Sequence, residues 1–355
     1  MIRHRSENLR LSNKLKTAAA LALILAGHYL TGQTYVGQVS KRATTAAAIL
    51  EIPVSARALA MGNAYSASVS DGSAFYWNPA APARQTGTTL YAMYMPWLVD
   101  TYYSHFAVIT PAPRQMVVGA SVTTWGMDDM IVRTEEYQQG TGEKFDAGDL
   151  VVAVSISRAL TNKYAIGFTA KYIQERIWHS TASTIALDLG TLFRADLGHG
   201  LNIAAVISNY GGDMRLDGRD VGTFTDPDPT IEGNNARIPS QYEMEGWPLP
   251  LCFRFGLATD VVRINSLRIT AEMDALHPSN NFPSIDTGIE MAFRELAFLR
   301  AGYSGIGIDD SVEGISIGAG IKLSVVRGSS LALDYAFKDF GPFGYLQAIA
   351  LDVGF

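Results

Sequence analysis

The residue types that carry most enzyme chemistry are present in this chain, but they are scattered. The six histidines, His4, His28, His105, His179, His199 and His277, are far apart, and no two have the spacing of a metal site. Cys252 is the single cysteine, and a thiol nucleophile needs a histidine base that the sequence does not place beside it. The acidic pairs Asp128/Asp129 and Glu135/Glu136 are adjacent, so in a strand their carboxylates point apart. The stretch GYSGIG at 302–307 is one residue too tight for a G-x-S-x-G elbow, and neither a P-loop nor a G-x-G-x-x-G turn opens a helix. Asp226 and Asp228, with Pro227 between them and Pro229 following, lack the EF-hand spacing and read as a solvated acidic loop. The chain is therefore read as no enzyme, with no cofactor and no metal.

The remaining chemistry is charge at regular positions. Asp188, Arg254, Arg268, Glu272, Asp286, Glu290, Arg300, Lys322, Asp334 and Asp352 each fall on the polar face of an alternating segment. Alone in hydrocarbon each would cost ~2–4 kcal/mol, whereas inside a polar lumen they can pair across neighbouring strands. They are read as a structural network of lumen ion pairs.

The elements that must position these charges are strands. In LPLCFRFGLATD, Leu249, Leu251, Phe253, Phe255 and Leu257 oppose Cys252, Arg254, Gly256 and Asp260. In EGISIGAGIKLSV, Ile315, Ile317, Ala319, Ile321 and Leu323 oppose Ser316, Gly318, Gly320, Lys322 and Ser324. KYAIGFTAKY and SLALDYAFK alternate in the same way, and similar segments begin near 89, 102, 115, 147, 183, 199, 266, 283 and 297. With the last strand the total is about fourteen; a weaker candidate at 128–137 is set aside as a loop or strand extension, because single-chain barrels use even numbers. No segment after the leader has the ~18 uninterrupted apolar residues of a spanning helix. Yet 48% of residues are hydrophobic and only 17% are charged. Large apolar groups on one face, with small and charged residues on the other, predict an all-β fold: a transmembrane antiparallel β-barrel of about fourteen strands. The stretch 209–248, rich in Gly, Pro, Asp and Asn, reads as a long outer loop.

The ends agree. Arg3, Arg5, Arg10, Lys14 and Lys16 precede the apolar run Ala18–Gly27, and small residues follow, so residues 1–32 read as a signal peptide. Its removal takes five of 28 basic and one of 34 acidic residues, leaving 23 against 33 and a net charge of −10, which argues against nucleic acid. At the other end, YLQAIALDVGF places Tyr345, Leu351, Val353 and Phe355 on one face of a strand that finishes on an aromatic. This resembles the final strand of bacterial outer-membrane barrels, which is read by the barrel-assembly machinery. The location expected is the bacterial outer membrane, with its lipid as surroundings.

The segment Pro53–Ala83, PVSARALAMGNAYSASVSDGSAFYWNPAAPA, resembles the N-terminal signature of the PorV/PorQ family within the broader FadL-like barrel group. The matching residues are Ser55-Ala56-Arg57-Ala58 with Met61-Gly62, then Asp71, Ser73-Ala74 and Tyr76-Trp77-Asn78-Pro79-Ala80. The chain departs at WNPAAPAR, where members often read N-P-A-G-L. The resemblance implies an N-terminal extension and hatch over 33–86, tucked into a barrel over 87–355. In the hatch, Arg57, Met61, Asp71, Phe75, Tyr76, Trp77, Asn78 and Pro79 would be the packing residues. Asp71 is expected to cap a short helix that stops at Asn78 before Pro79, with Phe75 and Trp77 wedged against small lumen residues. Two jobs are implied. A PorV-like member binds the C-terminal domains of secreted cargo through its outer loops and hands them to the type IX translocon or a sortase-like partner. A FadL-like member carries long-chain fatty acids or other hydrophobic molecules. The lumen face, rich in small and charged residues, leans towards the first.

Overall fold

The computed structural model describes residues 41–228, 230, 237–308, 311–324 and 328–355. The expected signal peptide 1–32 and the start of the expected extension, 33–40, lie outside the described residues. Fourteen strands form the barrel wall: β1 (Thr89–Pro96), β2 (Thr101–Ala112), β3 (Met116–Met127), β4 (Ala147–Ala159), β5 (Tyr164–Ile177), β6 (Ser180–Ala195), β7 (Leu201–Gly211), β8 (Cys252–Ile264), β9 (Leu267–Pro278), β10 (Ser284–Phe293), β11 (Ala297–Ile306), β12 (Ile315–Ser324), β13 (Ser330–Asp339) and β14 (Tyr345–Gly354). Each pairs antiparallel with its sequence neighbours, and β14 returns to β1 from Thr89↔Gly354 to Tyr94↔Ile349. Closure satisfies every ladder and leaves no edge, which is what hydrocarbon demands of a sheet.

The alternation in the sequence becomes two surfaces. On β4, Val152, Val154, Ile156 and Arg158 are exposed while Val151, Ala153, Ser155 and Ser157 are buried. The exposed rows make the lipid-facing wall. Among the described residues no helix is long and apolar enough to cross a membrane. The turns at 113–115, 265–266 and 294–296 are tight, and Arg114, Gln115, Arg294 and Glu295 all take the positive φ that suits two-residue hairpins. The long connections 128–146 and 212–251 lie at the opposite end, which is the outer one.

Two boundaries differ from expectation. The stretch 128–137 contributes only Met130–Ile131, paired with Lys144–Phe145. The expected loop 209–248 starts later, because β7 continues to Gly211, and it is not irregular throughout. Asp217–Gly218 extends the edge of β6, Gly222–Thr225 pairs with Ile238–Gln241, and Met214 bridges Trp247. The Gly, Asp and Pro residues there shape hairpin turns instead of coil. The β6–β7 ladder shifts register between Leu187 and Leu189, where Asn209 adopts a φ of 66° and its N–H donates to Asp188 at 2.8 Å.

A barrel of this size is too wide for its wall side chains to fill. Residues 46–86 fill it. The segment enters at the outer end, where the Ala46 N–H donates to Pro248 O at 3.0 Å. It then runs through a turn at Ala48–Glu51, α1 (Ala56–Ala60), α2 (Ala74–Trp77) and a turn at Ala81–Arg84 into β1. Val54, Ala56, Ala58, Leu59, Ala60 and Met61 are wholly buried. Gly62 follows the C-terminal end of α1 with a φ of +64°; a Cβ there would stand 2.4 Å from the Tyr303 backbone N. Close approach and a left-handed conformation both require glycine at this point.

Candidate functional site

The signature residues Ser55 to Pro79 converge inside the lumen. Ser55 Oγ caps α1 by accepting from the Ala58 N–H at 3.4 Å and donates to Asp71 Oδ2 at 2.9 Å. Tyr65 Oη donates to that same oxygen at 3.2 Å, while Asp71 Oδ1 accepts from the Ser73 N–H at 2.9 Å and from the Ser73 hydroxyl. Asp71 thus ties α1 to the start of α2. The φ/ψ of Asn78, −154° and 109°, is extended, and α2 stops there before Pro79. Asn78 Nδ2 donates to Ser66 O and to Thr191 O on β6, both at 3.1 Å, and Oδ1 accepts from the Ala80 N–H at 2.9 Å. The Pro79 carbonyl lies so close to β5 that a Cβ on Gly167 would stand 1.9 Å from it. Met61 lies as tightly on Gly288 and Gly302.

The three aromatics divide. The Phe75 ring lies on β3, where a Cβ on Gly119 would meet it at 2.5 Å. Tyr76 Oη is 2.8 Å from Ile52 O. Trp77 does not wedge against small wall residues as expected. Its Nε1 donates to Val54 O at 2.8 Å, its ring stands edge-on to Tyr65 at 6.1 Å, and the Arg254 guanidinium lies 4.6 Å from its centroid. A buried indole N–H needs an acceptor, and the hatch backbone supplies it. Burial pushes the Tyr65 and Tyr76 hydroxyls upward, so both stay neutral donors.

The charges form clusters, with Glu290 at the centre of the largest. Arg57 Nη2 donates to it at 2.8 Å, Arg268 Nη2 at 3.2 Å and Arg300 Nε at 2.7 Å, and Arg300 Nη1 reaches Asp334 at 2.5 Å. Burial alone would favour neutral Arg57, but the Glu290 charge outweighs it and holds the guanidinium well above its ordinary pKa. Arg254 Nη1 lies 3.6 Å from Asp274 and donates to Asn63 O at 3.2 Å; Lys171 Nζ is 2.7 Å from Asp188.

Several expected ion pairs take another form. Glu272 accepts from the Ala67 N–H at 2.6 Å, the Ser68 N–H at 3.3 Å and the Ser68 hydroxyl, and has no cation within ion-pair distance among the described residues. Asp286 accepts from the Gly305 N–H at 2.9 Å, and Asp352 from the Gly72 N–H at 2.7 Å. Lys322 is exposed near the inner end of β12 and makes no ion pair among the described residues. The physical reason is the hatch: an irregular buried chain has orphan N–H groups, and wall carboxylates are their acceptors. Asp274 and Lys171 were missed as members, although each lies on the polar face of its alternating strand. Asp274 accepts from the Tyr65 and Ser66 N–H groups at 3.2 and 3.1 Å and from Ser66 Oγ at 2.9 Å.

Above the hatch, at the outer mouth, is a cavity of about 400 Å³. Leu50, Tyr76, Trp77, Val206 and Leu276 give it apolar surface, Arg254 stands on its aromatic floor, and Glu51, Lys171, Asp286 and Glu313 add charge around the rim. Among the described residues no cluster of His, Cys, Asp or Glu could hold a metal. At the far end of the chain, Tyr345, Leu351 and Phe355 are exposed, Val353 is half-buried, and the Phe355 N–H donates to Thr88 O at 2.9 Å.

No protein-family description matches the chain, and no curated protein does. Solved structures do. A mutant of the monoaromatic hydrocarbon channel TodX is similar at a TM-score of 0.52 and 12% identity, covering 85% of this chain and 97% of that one. The toluene transporter TodX of Pseudomonas putida is similar at 0.50 and 12% identity, covering 85% and 96%. At such identity the likeness speaks to fold alone: a closed antiparallel barrel of fourteen strands. It gives the PorV/PorQ assignment no support.

Proposed function

We propose that the chain admits small hydrophobic molecules across the outer membrane, binding them in the mouth cavity above the hatch. The observation that carries this is the pairing of a 400 Å³ cavity floored by Tyr76 and Trp77 with a lumen sealed beneath it. A general porin keeps a water-filled lumen. Here Val54 to Met61 leave no open pore wide enough for a solute at mid-height, so a solute must be held at the mouth before the hatch lets it pass. The similar TodX structures, described as toluene and monoaromatic hydrocarbon channels, favour the same cargo class. The secretion-shuttle reading rests on the signature Ser55–Pro79, whose residues are spent on hatch architecture and do not reach a partner. What favours it is the outer connection 212–251, where Phe224 and Tyr242 are exposed.

Uptake of labelled toluene and oleate by cells lacking their own hydrophobic channels tests the transport reading, with Trp77→Ala as the site variant. Uptake above background that falls in the variant supports it. No uptake of either probe sinks it. Loss of a captured cargo domain on deleting 212–251 would move the assignment to the shuttle.

A further inference from the structure

One part of the lumen wall does not hold the hatch at all. Thr123 of β3, Ser155 and Ser157 of β4 and Thr169 of β5 are buried and point inward, with Ser121 beside them. Their hydroxyls serve one another. Ser155 Oγ is 2.8 Å from Thr169 Oγ1, and Thr123 Oγ1 is 2.8 Å from His105 Nδ1. Ser157 Oγ is buried with no partner among the described residues. A stripe of hydroxyls facing an apolar plug is unexpected, because packing there calls only for small size, which alanine supplies.

The space between stripe and hatch is not filled. A void of about 20 Å³ is lined on the wall by Ser121, Thr123, Ser155 and Thr169 together with Val151 and Ala153, and on the hatch by Phe75 and Tyr76. It shares Leu50, Tyr76 and Lys171 with the mouth cavity. A second void of about 10 Å³ shares Ser121, Ser155, Phe75 and Tyr76 with the first and reaches Gly72 and Ser73 on the inner half of the hatch. Ser157 lies two residues further along the same face of β4 towards the inner end. A space of ~10–15 Å³ holds one water when two to four polar partners surround it. Both voids meet the size, and the hydroxyls meet the chemistry.

We propose that this slit is a single file of water sites between the hatch and the β3–β4–β5 wall, and that it passes water while the hatch stays closed to hydrophobic cargo. Tyr76 and Phe75 form its apolar side, and Ser121, Ser155 and Thr169 its polar side. The bore is one water wide and the deeper void has no charged lining, so a hydrated ion cannot shed its shell there. The inference goes beyond the transport of apolar molecules and does not depend on it.

The test uses the full chain in phospholipid vesicles, with osmotic shrinkage in sucrose followed by stopped-flow light scattering and KCl conductance measured across planar bilayers. Wild-type vesicles should shrink faster than protein-free vesicles, with no added KCl conductance. Ser155→Leu, which fills both voids, should abolish the excess water flux. Ser121→Val is the milder second variant, should overpacking keep the first from folding, and it should lower the flux too. Ile156→Val, on the lipid side of the same strand, should leave it unchanged. Wild-type flux at the protein-free level overturns the proposal, as does flux kept in folded Ser155→Leu and Ser121→Val barrels. A wild-type KCl conductance above the bare bilayer overturns the selectivity.

Discussion

The two sides of the lumen treat the hatch differently. The wall from β8 to β14 grips it: Glu290 holds Arg57, Glu272 and Asp274 accept the N–H groups of residues 65–68, Asp352 accepts that of Gly72, and Ser316 Oγ accepts from the Gly62 N–H at 3.0 Å. The inner faces of β3 and β4 offer Gly119, Ser121, Thr123, Ala153, Ser155 and Ser157, and none of these hydrogen-bonds the hatch. One side fixes the plug by charge and the other only lies beside it. A plug fastened on one side can shift against the other without breaking buried ion pairs, and the slit lies on that loosely held side, whereas the mouth cavity opens against the gripping side at Arg254, Leu276 and Asp286.

The largest effect should come from the centre of the grip. Glu290→Gln leaves Arg57, Arg268 and Arg300 buried around a neutral amide. Removing one partner of a buried pair costs ~3–5 kcal/mol. Urea unfolding in detergent should show this loss, and proteolysis of the released hatch should become fast. A stability change within experimental scatter would mean that the charged side is not what fixes the plug.

Trp77→Ala comes next. It removes a buried ring, the bond to Val54 O and the seat of Arg254. Large-to-small changes of this kind cost ~3–5 kcal/mol where the site cannot collapse, and less where a plug can settle into the space. Leak of small hydrophilic solutes through the barrel should rise, and unchanged permeability to them would count against a sealing role. Asn78→Ala is smaller still. It deletes the tie between Ser66 O and Thr191 O, leaving two buried carbonyls short of a donor, at ~1–3 kcal/mol. This is a tie to β6, outside the charged side. If its loss released the hatch as fully as Glu290→Gln, the division into a gripping and a resting side would fail.

How much of this was legible in the sequence follows from the range of each interaction. Strand period is local, so the fourteen strands could be placed within a few residues; β8 was expected from Leu249 and begins at Cys252, because Pro250 cannot join a ladder. The polar face was legible for the same reason, down to Glu290 and Arg300. What each charge meets was not. Glu272 looked like half of an ion pair and is an acceptor for Ala67 and Ser68, more than 200 residues away. Trp77 looked like a wedge against the wall and is an N–H donor turned back on the hatch. These partners depend on how an irregular segment threads the lumen, and no periodicity encodes that. Gly318 reads as a place for a plug to approach, and Ala60 lies there, but four other glycines were the missed signal. Gly167, Gly190, Gly288 and Gly302 are all inward-facing positions, and in each a Cβ would strike hatch residues between Met61 and Ala80. Read together they trace the hatch on the wall.

The smallest expected effect is the sharpest test of the comparison. Thr169→Val keeps shape and volume and deletes one hydroxyl from the β3–β4–β5 stripe. Its bond to Ser155 Oγ, at 2.8 Å, is worth ~0.5–1.5 kcal/mol net, and nothing on the hatch loses a partner. Urea unfolding should therefore shift only slightly, and hatch proteolysis should stay at the wild-type rate. Both walls carry buried polar side chains, so polarity alone would predict consequences for the hatch from either. Only the direction in which those groups point, across the gap to the hatch or along the wall to one another, makes Glu290→Gln and Thr169→Val differ. A hatch released by Thr169→Val would show that the hydroxyl stripe bears on the plug after all.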